Sequence, residues 1–68
     1  MPKLKQTILN IRVRRSVLKF SQEYMAYKMN ISQNAYSKIE IGKSQLTVAR
    51  LYKIAEILLT TPVELLAV

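Results

Sequence analysis

Gln33, Asn34, Ser37 and Lys38 place two amides, a hydroxyl and an ammonium within about two turns of a helix. A primary amide holds a donor and an acceptor on one planar group, the complement of the N6/N7 edge of adenine. Lysine donates to guanine O6/N7 or to a phosphate, and a serine hydroxyl suits either. The same four side chains also describe an ordinary solvated helix face, and taken alone they do not decide between the two. Catalytic chemistry finds no foothold. The chain has no histidine and no cysteine, and its four carboxylates fall on separate segments. There is no glycine-rich phosphate loop and no cluster with metal-ligand spacing, so neither cofactor nor metal is expected.

Those four residues need a helix held at a fixed angle, and the stretch from Gln22 to Lys43 reads as two short helices meeting at a tight turn. Met25, Ala26 and Met29 recur at spacings of three and four and so share a face of the first. Tyr36 and Ile39 make the apolar stripe of the second, with Glu40 at its inner edge. Between the helices, Asn30 tolerates a left-handed backbone, Ile31 is an apolar plug and Ser32 is the expected N-cap. Gly42 marks the stop. Two helices crossing at a short turn, the second with an amide-rich outer face, is a helix-turn-helix design.

Here the sequence resembles the phage repressor and Cro-like (XRE-type, lambda-repressor-like) DNA-binding domains. The matching residues are Ser21-Gln22, Ala26, Ile31-Ser32-Gln33, Ile39-Glu40 and Gly42-Lys43, continued by Leu51, Lys53-Ile54-Ala55, Leu58, Pro62 and Glu64-Leu65-Leu66. The resemblance implies an all-α bundle of about five short helices forming a single domain over 1–68, with the motif over about 21–42. It implies a helix from Ser32 to Ile41 in the DNA major groove, Gln33, Asn34, Ser37 and Lys38 facing bases. Gln22 would clamp a phosphate and brace Gln33, with Lys43 and Ser44 following the DNA backbone. It also pairs Arg15 with Glu40. Tyr36 stands where the family usually has an aliphatic core residue, so its ring is read as packing with the hydroxyl near the surface. Ile41, where a polar residue is usual, and Leu59, where Gly or Asn is frequent, also depart from the family pattern.

Eleven basic residues against four acidic give a net charge of +7, which favours a polyanionic partner. Lys3, Lys5, Arg12, Arg14, Arg15 and Lys19 all precede the first acid, Glu23. Leu4 to Lys19 reads as the first helix. Leu4, Ile8, Ile11 and Leu18 form its inner stripe, and Leu9, Val13 and Val17 widen that apolar surface. Arg15 sits at the core edge, where a buried guanidinium needs a partner; Glu40 is that partner, the alternative being an outward reach to phosphate. Phe20 is read as a core anchor and Ser21 as the next N-cap.

Thr47 caps a fourth helix ending near Leu58, with Val48, Leu51, Ile54, Ala55 and Leu58 on one face. Thr61-Pro62-Val63-Glu64 reads as a capping box with proline at the first helical position, opening a last helix to about Ala67. Ile57, Leu59, Val63, Leu66 and Val68 exceed what a short helix needs for one core, and are expected to form a self-association surface. No apolar run approaches the ~18 residues of a membrane span, and the N-terminus lacks the long apolar core of a secretory signal. The expectation is therefore a cytoplasmic homodimer on double-stranded DNA, a repressor with no small-molecule ligand. An antitoxin or a restriction-system controller shares that chemistry. A protein-interaction module that has lost DNA reading is the reading of another class, and membrane-surface binding by the basic first helix is a third.

Overall fold

Helix starts in this chain are written in hydroxyls. Ser21, Ser32, Thr47 and Thr61 each hold an extended backbone and accept a bond from the N–H three residues on: Tyr24 at 2.9 Å, Ala35 at 3.0 Å, Arg50 at 3.2 Å and Glu64 at 3.2 Å. Each satisfies one of the orphan donors at a helix N-terminus. The computed structural model describes residues 2–67, with side chains from Lys5 to Ala67. Five helices result among them: α1 (Pro2–Val17), α2 (Gln22–Met29), α3 (Gln33–Glu40), α4 (Val48–Ile57) and α5 (Pro62–Leu66). The described chain is all-α. The expectations for the Leu4 side chain and for Val68 fall outside the described residues.

The first four helices stop by one device. Lys19, Asn30, Gly42 and Leu59 are left-handed, at φ 61°, 60°, 78° and 58°. The N–H after each reaches back five residues: Phe20 to Arg15 O, Ile31 to Ala26 O, Lys43 to Lys38 O and Thr60 to Ala55 O, at 2.9–3.0 Å. These are Schellman-type closures. Gly42 is needed for its φ and not for space, because an added Cβ would meet Ile8 Cδ1 at an ordinary 3.8 Å. Leu59 has no such excuse; a leucine in this conformation carries a steric cost.

The chain closes around Ile11, Met25, Tyr36, Ile39, Ile54 and Leu58, each 0% exposed, with Ala26, Leu51, Ala55 and Leu65 around them. Phe20, Met29, Ile31 and Leu46 pack at the margin. α2 packs on α3 and α4, while α1 lies across α3 and α5. The α2–α3 motif is thereby held by α1 on one of its helices and by α4 on the other.

Three expectations need correction. Leu9, Val13 and Val17 do not extend the core; they are 46%, 53% and 67% exposed. On a helix whose inner side is already filled by Thr7 and Ile11, residues at 9, 13 and 17 turn outward. Val48, expected on the inner face of α4, is 72% exposed, and its neighbours Thr47 and Ala49 are exposed too; burial on this helix begins only at Leu51. Tyr36 was expected to bring its hydroxyl near the surface. Instead the whole residue is buried, hydroxyl included.

Candidate nucleic-acid interface

The outer face of α3 stands clear of the fold. Gln33, Asn34 and Lys38 are exposed and Ser37 is half-buried, while Tyr36, Ile39 and Glu40 turn inward on the same eight-residue helix. The split follows from the 100° step between residues: three inward positions at spacings of three and four leave the polar positions on the opposite side. Ile41, the C-cap, is 59% exposed beside them. Lys43 is exposed and Ser44 half-buried in the turn that follows, where the N–H groups of both bond to Lys38 O, at 2.9 and 3.2 Å.

What holds α3 in place is a buried carboxylate. Glu40 is 2% exposed and receives four hydrogen bonds. Arg15 Nε donates to Oε2 at 2.6 Å and its Nη2 to Oε1 at 3.1 Å, a two-point contact from α1. Gln22 Nε2, from the start of α2, donates to Oε1 at 3.0 Å. The Tyr36 hydroxyl, one turn back on α3 itself, donates to Oε2. A carboxylate has about four lone-pair sites, so the set is complete. Arg15 adds a third bond, from Nη1 to Phe20 O at 2.9 Å, which ties the α1–α2 turn into the same cluster.

Electrostatics follow the geometry. Burial opposes the charged carboxylate, but the bonds from Arg15, Tyr36 and Gln22 outweigh it and hold the Glu40 carboxyl below its usual range. The bond to Glu40 raises the Arg15 guanidinium further, against desolvation. Burial first, and then the neighbouring carboxylate, push the Tyr36 phenol well above its ordinary value. Gln22 is thereby oriented: facing an acceptor-only group, its amide must present the nitrogen, leaving the carbonyl oxygen for another donor.

Two residues passed over in the sequence hold the far side. Arg14 donates from Nε to Leu58 O and from Nη2 to Leu59 O, both at 2.9 Å, covering carbonyls at the end of α4. Asn10 Nδ2 reaches Leu65 O at 3.0 Å and Ala67 O at 2.7 Å, closing the end of α5. Neither residue type signals such a role, because carbonyl partners have no side-chain signature. Among the residues expected to self-associate, Leu59, Val63 and Leu66 are 71%, 77% and 50% exposed, whereas Ile57 is 8% exposed and lies in the protomer's own core.

No helix of the described chain is long and apolar enough to cross a membrane. The described residues also hold no group of His, Cys, Asp or Glu arranged for a metal ion. In comparison with known proteins, a family model described as "Helix-turn-helix" matches residues 12–65. Searches of curated proteins and of solved structures return no match.

Proposed function

The chain belongs to the XRE-type helix-turn-helix family, whose members are DNA-binding transcription regulators, and from that premise we propose that it is a repressor that reads a near-palindromic operator as a homodimer. The observation that carries the reading is the two-sidedness of α3: exposed Gln33, Asn34 and Lys38 on a helix locked from behind through Glu40. Gln33 and Asn34 contact base edges, with adenine the natural partner of each amide. Ser37 and Lys38 contact bases or the adjoining backbone. Gln22, Lys43 and Ser44 lie along phosphates, which fix register without reading sequence.

Dimerisation proceeds through Leu59, Val63 and Leu66, an apolar patch that is otherwise left in water. Two copies then present α3 to half-sites about one helical turn apart, and occupancy of a promoter blocks transcription. The test is selection of duplexes from a random pool, followed by titration of the selected operator against an unrelated duplex. The reading expects a two-fold symmetric site bound by two protomers. Gln33→Ala combined with Asn34→Ala should bring operator affinity down to the level of the unrelated duplex. Operator affinity unmoved by that double substitution removes the reading.

A further inference from the structure

The stripe formed by Leu9, Val13 and Val17 along α1 is absorbed by neither the core nor the DNA-reading face. Four-residue spacing lines them up on the outside of the helix. They border a groove of about 430 Å³ between α1 and α5, whose opposite wall carries Thr60, Glu64 and Leu65. Polar ties fix its walls: Arg14 and Asn10 pin the ends of α4 and α5 to α1.

Charge selects what fits it. No acidic residue occurs on α1. Lys5 and Arg12, both exposed, lie one helical turn before Leu9 and one residue before Val13 on the solvent edge of the stripe. The one carboxylate lining the groove, Glu64, accepts from the Thr60 hydroxyl at 2.5 Å and from the Thr61 backbone N–H and keeps its charge, which Arg14 on the facing wall offsets. A second copy packed on this groove about a two-fold axis would bring its own α1, with Lys5 and Arg12 and no carboxylate, against this basic edge. We propose that the groove between α1 and α5 docks an acidic amphipathic helix of another protein, its apolar face on Leu9, Val13 and Val17 and its carboxylates on Lys5 and Arg12. This is helix-in-groove recognition, on a face separate from α3, and it would let a DNA-bound molecule hold a partner.

The test uses the full chain and two synthetic helical peptides with leucine at every third and fourth position, one flanked by glutamate and one by lysine. Fluorescence anisotropy should show the glutamate peptide binding and the lysine peptide not. Val13→Gln, which removes one buried side chain from the contact, should weaken the glutamate peptide about tenfold. Arg12→Glu should weaken the glutamate peptide and admit the lysine peptide. Saturating unrelated duplex, which covers the DNA face, should leave peptide affinity unchanged. Equal binding of both peptides, indifference to Val13→Gln, or displacement of the glutamate peptide by duplex overturns the proposal. So does a change of oligomeric state on Val13→Gln alone, since that result assigns the groove to a second copy. Circular dichroism on the variants confirms that the exposed substitutions leave the fold intact. Failure of the peptide with operator binding retained separates this idea from the DNA-binding reading.

Discussion

Tyr36→Phe removes one oxygen from the core and leaves the ring. In the folded protein that oxygen donates to Glu40, and both residues are shut off from solvent, at 0% and 2% exposure. Arg15 still gives the carboxylate two bonds and Gln22 one, so a single acceptor site of a buried anion goes unfilled. A hydrogen bond to a charged group contributes about 1.5–3 kcal/mol. A domain of this size has a total stability of roughly 3–10 kcal/mol, so the loss is a large share. It corresponds to a fall in Tm of about 6–20 °C. The cost should depend on pH with a definite sign. Glu40 is held below its ordinary range in the folded state. Its contribution is therefore complete above the ordinary carboxyl pKa and disappears as pH falls through the folded value. Once the carboxyl is protonated, the hydroxyl no longer serves a charge, and the gap between wild type and variant narrows. Urea melts of both proteins at neutral and acidic pH measure this. A neutral-pH difference below about 0.5 kcal/mol would mean that the hydroxyl contributes less than a typical net hydrogen bond. A difference that stays constant into acid would assign the loss to packing. Either outcome refutes the reasoning.

Leu59→Gly relieves a left-handed leucine and should stabilise the monomer by about 1 kcal/mol, while weakening self-association; denaturant midpoints and sedimentation at several concentrations separate the two effects. Arg14→Met keeps an unbranched side chain but drops both carbonyl bonds, and should lower unfolding free energy by about 1–2 kcal/mol with operator affinity retained below the transition. Lys43→Ala should weaken all duplexes alike and reduce the slope of log K against log salt by about 1, read from titrations at four salt concentrations.

Much of the fold is legible in the chain because its punctuation is chemical. Ser21, Ser32, Thr47 and Thr61 announce their helices through side-chain oxygens, and Asn30 and Gly42 announce turns through tolerance of positive φ. Lys19 and Leu59 adopt the same conformation without any residue-level signal. There the geometry is imposed by the packing of the helices on either side. A lone guanidinium on an apolar stripe calls for a carboxylate, so the approach of Arg15 to Glu40 can be read from charge and position. Its completion by Tyr36 and Gln22 cannot, since a tyrosine on an apolar stripe looks the same whether its hydroxyl is wet or buried. Hydrophobicity also misleads where a helix is apolar on more than one side. α1 has enough branched residues for two faces, and only the positions of α3 and α5 decide which becomes core. The sorting of α3 into inner and outer residues was easier, because Tyr36 and Ile39 are the bulky apolar side chains among its amides.

Amide-resolved NMR titration of the chain with its selected operator addresses the DNA-reading face directly. The account predicts that the largest perturbations run from Ser32 to Lys38, with smaller ones at Gln22, Lys43 and Ser44, and that α1 beyond Arg15 stays quiet. Perturbations centred on α1 or α5, with the backbone and side-chain amides of Gln33 and Asn34 unmoved at saturation, would contradict it.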